Sequence, residues 1–413
     1  MSKNSIIPFL KDYLINFLTS PFLLDTNEIR YKMKKIRICF VETNCKKNGP
    51  IKQTLNIIRY MDRNIFEPIL LTLWEEEQSN SMISDYKKQK IQIVCAGLTK
   101  YTTFIIGRQK VTKLLQQLKP DIIQGVGMPP YRTTLGYKKA LHFITLRNYC
   151  YEDYPDYYGK IKGLIMAYLD MRLIRKNIKK EPIITCSSSL TYLYKTKQNL
   201  DIPFIRNGVN VEQYRKRELD KVSLLRTQLN LPLEKVIFVY GGFFIDRKNQ
   251  QECIEGFLKS KSTSNSVLLL LGDGKERKVL YSRYKDYPQI IFAGQVDNIQ
   301  NYLSASDVYI SSSKSEGLPN GVLEAMACGL PLLLSDIPQH MEIFSINPSI
   351  GYSYQLGNIK DLSNKIDLIL NNNLIEMGGF SYNTLQENLT AEIMSKNYQK
   401  LYKQLIQTVS VQF

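Results

Sequence analysis

Short apolar runs alternate with helical segments along this chain, and the whole alternating pattern occurs twice. The first series of runs begins at Ile36–Glu42 and ends at Ile183–Cys186, and the second begins at Val236–Tyr240 and ends at Leu330–Leu334. Continuous apolar runs are typical of strands buried on both faces, and a helix between consecutive strands makes those strands parallel. The sequence therefore predicts the α/β class, with two doubly wound, Rossmann-like sheets.

The restart of this pattern after residue 215 predicts the domain boundaries. A chain of 413 residues is too long for one hydrophobic core, which agrees with two domains. The predicted parts are an N-terminal amphipathic extension over 1–34, a first domain over 35–215, a second domain over 216–390 and a C-terminal helix over 391–413 that packs back on the first domain. Within the extension, helical spacing predicts a helix over 3–18, which either packs on its own domain or lies on a membrane surface.

Positive charge is concentrated in one half of the chain. The 55 lysines and arginines exceed the 38 acidic residues by 17. Residues 1–220 contain 37 basic and 20 acidic residues, whereas residues 221–413 contain 18 of each. This half is therefore expected to meet an anionic partner. A nucleic acid is not the expected partner, because no RNA-binding motif and no regular aromatic platform accompany the basic residues.

Cysteine and histidine usage argues against a disulfide framework and against a zinc site. The seven cysteines form no C-x-x-C pair, and the chain has two histidines. A reducing, cytoplasmic compartment is therefore expected. Neither a membrane-spanning helix nor a signal peptide is predicted, because the longest early apolar stretch, Tyr13–Leu24, falls short of the roughly 20 residues that cross a bilayer.

The segment 313–331 carries the most informative chemistry. Pro319 suits the start of a helix, so backbone amides at Gly317, Leu318, Asn320 and Gly321 are expected at a helix N-terminus, where they bind phosphate. Glu316 and Glu324 flank this start, and carboxylates accept strong hydrogen bonds from sugar hydroxyls. A nucleoside diphosphate sugar supplies both groups. The alternative is that the two glutamates are surface and capping acids.

The same segment carries a family resemblance. The run EGLPNGVLEAMACGLP, followed by SDIPQHME from Ser335, resembles the retaining GT-B glycosyltransferases of the glycogen-synthase and sucrose-synthase-like group. Within that group it is most similar to bacterial capsule and exopolysaccharide enzymes, and the resemblance extends over nearly the whole chain from Lys35. It implies the GT-B fold, a nucleotide-sugar co-substrate, expected to be a UDP-sugar, no cofactor and no metal.

The resemblance also implies roles for donor-side residues. Glu316 is expected to hold the transferred sugar and to be catalytic together with Lys248, and Glu324 is expected to hold the ribose. The further donor-binding residues it implies are Gly49, Gly242, Arg247, Val296, Gly317, Leu318, Asn320 and Gly321. Phe243 stands where the family often has arginine, and whether Arg247 replaces that cation stays open.

Acceptor-side residues are expected in the first domain. Gly127, Arg147 and Asn148 follow predicted strands, although many relatives have a histidine near the position of Arg147. Asp153 lies in an acidic, tyrosine-rich loop that either binds sugar or has no role in binding. A basic helix over 160–180 is either a solvated face or a contact for anionic lipid.

These expectations combine into one functional hypothesis. The chain is expected to be a retaining, metal-independent hexosyltransferase that transfers sugar to a hydroxyl of a glycan or lipid-linked acceptor in surface polysaccharide biosynthesis. It is expected to be cytoplasmic and peripheral on the inner face of the membrane, where it meets an anionic surface. A nucleotide-sugar epimerase or hydrolase of the same fold and a non-catalytic basic glycan or nucleic-acid binder are the alternatives. The oligomeric state stays open.

Overall fold

The computed structural model describes residues 35–77 and 80–410. The helix predicted over 3–18 lies outside these residues. Contacts divide the chain into two units, which we call unit 1 and unit 2. Of the described residues, unit 1 contains those up to 154, residues 161–206 and the C-terminal residues from 391. Unit 2 contains residues 155–160 and 207–390.

Unit 1 is built on a six-stranded parallel sheet. Its strands, in chain order, are β1 Ile36–Glu42, β2 Phe66–Trp74, β3 Gln92–Leu98, β4 Ile122–Val126, β5 Leu141–Leu146 and β6 Ile183–Thr185. Their order across the sheet is β3-β2-β1-β4-β5-β6, so the direction of winding reverses between β1 and β4. The helices are Gly49–Arg59, Ile83–Lys88, Lys100–Ile105, Gly107–Leu118, Met128–Thr134, Cys150–Tyr158, Lys160–Asn177, Ser188–Gln198 and Ala391–Ser410. The end of Cys150–Tyr158 and the first residue of Lys160–Asn177 fall within 155–160, the segment grouped with unit 2.

Two apolar cores lie on opposite faces of this sheet. Helix Gly107–Leu118 buries Val111 and Leu115 on one face. Helix Gly49–Arg59 and the C-terminal helix Ala391–Ser410 pack together on the other, where Tyr398 and Tyr402 are fully buried. Continuous apolar strands are covered in this way on both sides, which accounts for their lack of alternation.

Unit 2 repeats the architecture with a second parallel sheet. Its strands are β7 Val236–Gly241, β8 Ser266–Leu271, β9 Ile290–Gly294, β10 Val308–Ser311, β11 Leu332–Ser335 and β12 Gly351–Tyr354, in the order β12-β11-β10-β7-β8-β9. Its α-helices are Val222–Gln228, Gln250–Lys259, Arg277–Tyr284, Ile299–Ser304, Asn320–Ala327, Pro338–Ile346, Ile359–Ile369 and Leu374–Asn388. Short 3₁₀ helices occupy Leu219–Lys221, Asp246–Lys248, Lys261–Ser264 and Pro348–Ile350.

The two sheets confirm the predicted α/β class with two doubly wound units. The division between units falls after residue 206, ahead of the boundary placed at 215 from the sequence. The segment 207–215 joins unit 2 because Val209 bridges to Thr390 and Asn207 donates to the carbonyl of Leu318. Among helices in 35–77 and 80–410, none has the length and apolar character needed to cross a membrane.

Candidate functional site

The two glutamates of the central motif lie on either side of a helix start in unit 2. Glu316 lies in the loop after β10, and Glu324 lies in the second turn of helix Asn320–Ala327; both side chains are buried. Pro319 precedes the helix without a side-chain cap, which fits its lack of a hydrogen-bonding side chain. Gly321 is required by packing, because a Cβ there would lie 2.4 Å from the Tyr309 hydroxyl.

Glu316 is the centre of a buried ion-pair cluster. Lys248 Nζ donates to its Oε1, and Arg247 Nη1 donates to its Oε2 at 3.3 Å. Burial acts to raise the pKa of Glu316, but the charges of Lys248 and Arg247 outweigh it and lower the pKa to about 2. The carboxylate is therefore ionised at neutral pH and acts only as a hydrogen-bond acceptor.

The hydroxyl groups of Ser313 and Tyr240 contact this cluster. Ser313 Oγ donates to Glu316 Oε1 at 2.7 Å, and it also lies 3.0 Å from the Tyr240 hydroxyl. The Tyr240 hydroxyl donates to the backbone carbonyl of Lys248 at 2.5 Å. One buried tyrosine thus connects the loop that carries Glu316 with the 3₁₀ helix that carries Lys248. Neither Ser313 nor Tyr240 was predicted as a site residue from the sequence, although the serine run 311–313 next to the motif was an available signal.

His340 extends the network and was also missed as a site residue, although it lies within the run that carries the resemblance. Its Nδ1 lies 2.9 Å from the carbonyl oxygen of Ser335 and 3.0 Å from the Ser335 hydroxyl, which in turn donates to the Ser313 carbonyl at 2.7 Å. A carbonyl only accepts, so Nδ1 carries the proton. Burial lowers the pKa of His340 to about 4, although the charge of Glu316 opposes this shift. The ring is therefore neutral at pH 7.

The loop after β7 brings Lys248 against the chain at Gly242. A Cβ at Gly242 would lie 3.6 Å from Lys248 Cε. The neighbouring loop approaches this backbone closely: Gly272 has a φ of +124°, and a Cβ there would lie 2.1 Å from the Gly242 carbonyl oxygen. Only glycine fits at that position. The loops after β7 and β8 therefore fix the backbone at Gly242, against which the Lys248 side chain lies.

The other donor-side candidates of unit 2 differ in their exposure. Phe243, where the resemblance led us to expect an arginine, is half-exposed. Arg247 does not replace that cation as a free group, because its guanidinium donates to the Ser315 carbonyl at 2.7 Å and to Glu316. Val296 follows β9 and is partly buried. Leu318 is buried, and its carbonyl accepts the Asn207 side-chain amide at 3.2 Å.

The hydrogen bond from the Asn207 side chain to the Leu318 carbonyl gives a structural role to the segment 207–209. The Asn207 side chain also lies 3.3 Å from Asn320 Oδ1, so it holds both ends of the turn that precedes the helix. Gly317, in the same turn, lies next to Glu316 in sequence. Unit 2 therefore brings together Gly242, Arg247, Lys248 and the motif residues 316–324, whereas Val296 lies on the separate loop after β9.

The unit 1 candidates lie at the carboxyl ends of its strands. Gly49 opens helix Gly49–Arg59 in a helical conformation, behind Asn48, whose side chain accepts the Ile51 amide at 3.1 Å. Gly127 follows β4 with a φ of +80°, and a Cβ there would meet no atom within 4 Å. The glycine at 127 is thus required by its backbone conformation, whereas the glycine at 49 is not.

Arg147 and Asn148 follow β5. Arg147 is buried, and the Asn148 carbonyl accepts the Tyr194 hydroxyl at 3.2 Å. Asp153 lies in the first turn of helix Cys150–Tyr158 and is partly buried. The acidic, tyrosine-rich segment expected as a loop is therefore largely helical, with Pro155 inside the helix.

Glu42 is a further buried carboxyl that the sequence analysis did not select. It ends β1 with 2% of its surface exposed, and Thr54 Oγ1 donates to its Oε1 at 2.6 Å. Burial raises its pKa to about 8, and the Thr54 hydrogen bond and the charge of Arg147 only partly oppose this. A titratable carboxyl with an arginine nearby, at the carboxyl edge of a parallel sheet, has the character of a functional group.

The described part of the chain offers no cluster of three or more histidine, cysteine, aspartate or glutamate side chains that could hold a metal ion. Positive charge at the motif comes instead from Lys248 and Arg247. An ionised carboxylate, two cations and a helix N-terminus lie together in unit 2. This combination can hold both hydroxyl groups and phosphate.

Comparison with known proteins agrees with this chemistry. Residues 222–387 match the family described as "Glycosyl transferases group 1". The chain is 24% identical over 385 residues to the O-antigen biosynthesis glycosyltransferase WclY of Escherichia coli, covering 91% of this chain and 100% of that protein. It is also similar to the N,N'-diacetylbacillosaminyl-diphospho-undecaprenol alpha-1,3-N-acetylgalactosaminyltransferase of Campylobacter jejuni subsp. jejuni serotype O:2. The two are 25% identical over 278 residues, which cover 62% of this chain and 72% of that protein.

Solved structures show the same fold. Anabaena Alr3699/HepE in complex with UDP and glucose superposes with a TM-score of 0.73 at 15% identity, covering 89% of this chain and 100% of that one. The two parallel sheets of this chain are thus those of a GT-B fold. The match to the group 1 glycosyltransferases thus falls within unit 2, and similarity to the glycosyltransferase WclY extends over 91% of the chain.

Proposed function

We propose that this chain is a glycosyltransferase that transfers a sugar from a UDP-sugar to a hydroxyl of a glycan or lipid-linked acceptor in surface polysaccharide biosynthesis, with retention and without a metal or cofactor. The observation that carries the proposal is the cluster of Glu316, Lys248 and Arg247 in front of helix Asn320–Ala327. Three similar proteins support the proposed donor, process and acceptor. The HepE structure is a complex with UDP and glucose, WclY is named for O-antigen biosynthesis, and the Campylobacter relative is named for a diphospho-undecaprenol acceptor.

In the proposed reaction, Lys248 and the amides at the helix start hold the diphosphate. The bond between the anomeric carbon and the phosphate oxygen breaks, and its electron pair goes to UDP. The acceptor oxygen bonds to the same face of the anomeric carbon, and the hydroxyl proton goes to a phosphate oxygen. Because charge grows on the phosphate as the bond breaks, fixed cations and amides stabilise the transition state more than the ground state.

The carboxylates have separate tasks in this proposal. Glu316 accepts hydrogen bonds from the transferred sugar, for which its lowered pKa keeps it ionised. Glu324 accepts hydrogen bonds from the ribose. Neither has to act as a nucleophile or a general base, because the leaving phosphate itself takes the proton. Lys248 carries positive charge that a divalent ion would otherwise supply to the phosphates.

The test is release of UDP with and without an acceptor. The purified full chain is first screened by thermal shift against UDP-, GDP- and ADP-sugars, since ligand at 100 times its Kd adds about 2.7 kcal/mol of stability. With the stabilising donor, UDP release should rise at least about tenfold when a sugar-diphospholipid acceptor is added, and chelation by EDTA should not lower it. Release that does not depend on the acceptor would identify a hydrolase, and strict dependence on Mg²⁺ or Mn²⁺ would refute the metal-free site.

A further inference from the structure

Helix Lys160–Asn177 presents large apolar side chains to solvent. Five of them are between 42% and 77% exposed: Ile161, Leu164, Ile165, Tyr168 and Leu169. We call these five residues the 161–169 face. The opposite side of the helix packs on its own unit through Gly163, Ala167 and Met171, which are buried. An exposed apolar group of this size on one helix marks an interaction surface rather than scattered surface residues.

Cations continue the outer side of the helix beyond the 161–169 face. Lys162 lies among the apolar residues, Arg172 and Lys176 lie one and two turns further on, and Lys179 and Lys180 follow the helix; all are exposed. The single acid of the helix, Asp170, is buried, where it accepts hydrogen bonds from Arg132 and from the Tyr154 hydroxyl. The solvent side of this helix therefore carries apolar and basic groups and no carboxylate.

We propose that the 161–169 face docks unit 1 on the surface of an anionic lipid bilayer. A helix that lies in a membrane interface places isoleucine, leucine and tyrosine among the acyl chains and lysine and arginine among the phosphates. The apolar residues occupy the N-terminal half of the outer side, and the cations other than Lys162 occupy or follow its C-terminal half. An anionic bilayer offers acyl chains to the first group and phosphates to the second. Where the acceptor is lipid-linked, this inference rests on the proposed function, because docking brings the enzyme to the surface that contains its substrate.

Two other occupants fit the charges less well. A second copy of the chain would bring together two surfaces of the same positive charge. Residues 1–34 contain five basic and three acidic residues, so this segment is itself net positive. An anionic bilayer is the occupant that complements both the apolar and the basic part of the helix.

Flotation with lipid vesicles tests the proposal on the full chain. The wild type should float with phosphatidylglycerol vesicles at low salt and much less with phosphatidylcholine vesicles, which carry no net charge for the cations to bind. Flotation with phosphatidylglycerol vesicles should weaken as salt is added, because exposed charges are screened over about 8 Å at physiological ionic strength. The substitutions Ile161→Ser, Ile165→Ser and Tyr168→Ser together should lower vesicle partition at least about tenfold. A second variant, Lys162→Gln with Arg172→Gln and Lys176→Gln, should weaken binding to anionic vesicles and leave weak binding to neutral ones unchanged.

Matched controls come from unit 2. Leu224, Leu233 and Ile375 are between 50% and 60% exposed, and their joint replacement by serine should leave flotation unchanged. For the charge variant, the control replaces the exposed Lys259, Lys278 and Lys285 by glutamine. Every variant is also measured for thermal stabilisation by UDP, which unit 2 is proposed to bind. Retained stabilisation shows that the variant is folded and separates loss of docking from failure of the proposed function.

Three outcomes would overturn the proposal. Equal flotation of the wild type and the serine triple variant would mean that another surface binds lipid. A wild-type dimer in sedimentation that the triple variant converts to a monomer, without vesicle binding, would identify a second copy as the occupant. A wild type that ignores vesicles until residues 1–34 are removed would show that this segment covers the face.

Discussion

Replacing Glu42 by glutamine should remove a pH dependence from the stability of unit 1. Burial raises the pKa of Glu42 from 4.5 to about 8, against the smaller opposing effects of Thr54 and Arg147. Between these two values the folded chain therefore holds one more proton on this carboxyl than the unfolded chain does. The free energy of unfolding then falls as the pH rises through this window, since stability rises with pH only where the unfolded state binds more protons.

The magnitude follows from the width of the window. At 1.36 kcal/mol per pH unit, a rise from pH 5.5 to pH 7.5 should lower the free energy of unfolding by roughly 2–3 kcal/mol through Glu42. Glutamine is neutral over this range, and its amide oxygen can still accept the hydrogen bond that Thr54 Oγ1 donates at 2.6 Å. The variant should therefore keep the local geometry and lose the proton uptake.

The single tryptophan makes the assay specific to unit 1. Trp74 ends β2, and its indole N–H donates to Thr103 at 2.9 Å, so urea unfolding followed by its fluorescence reports on this unit. The quantity compared is the drop in unfolding free energy between the two pH values, wild type against Glu42→Gln. Glu75→Gln, at an exposed position of the same unit, is the control and should behave as the wild type. Equal drops in the wild type and Glu42→Gln would refute the reasoning.

Two further predictions concern unit 2. Glu324→Ala should weaken UDP binding measured by calorimetry, whereas Glu316→Gln should leave UDP affinity nearly intact and lower turnover at least about tenfold, or about 1.4 kcal/mol of barrier; wild-type turnover in both variants would contradict these roles. Lys248→Ala should weaken UDP binding by about 2 kcal/mol, as expected for a charge-assisted contact. Lys314→Ala, at an exposed lysine paired with Asp246, is its control, and an equal loss there would mean that Lys248 acts only through general charge.

Strands buried on both faces could be predicted, and an edge strand could not. The run Val267–Leu271 has five consecutive apolar residues because both of its faces are covered, and this composition is visible without any structure. Strand β12, Gly351–Tyr354, escaped prediction. It lies at the edge of its sheet with three of its four residues only partly buried, so its sequence GYSY needs no apolar run.

The candidate site divides in the same way. Glu316, Glu324 and Lys248 could be selected because each lies in a motif that is continuous in sequence. Glu42 could not, because a glutamate at the end of an apolar run resembles the exposed end of a strand. Its burial depends on Thr54, 12 residues later, and its electrostatics on Arg147, which arrives through the pairing of β1 with β4 and of β4 with β5.

The geometry between Glu316 and Lys248 is likewise a property of the sheet rather than of either motif. The two residues are 68 positions apart, and their loops follow β10 and β7, which are paired directly. The hydroxyl of Tyr240, near the end of β7, meets both the Lys248 carbonyl and the Ser313 hydroxyl. A shift in the pairing of these strands would separate the cation from the carboxylate even with both motifs intact. The central strands of unit 2 therefore determine the distance on which the proposed donor chemistry depends.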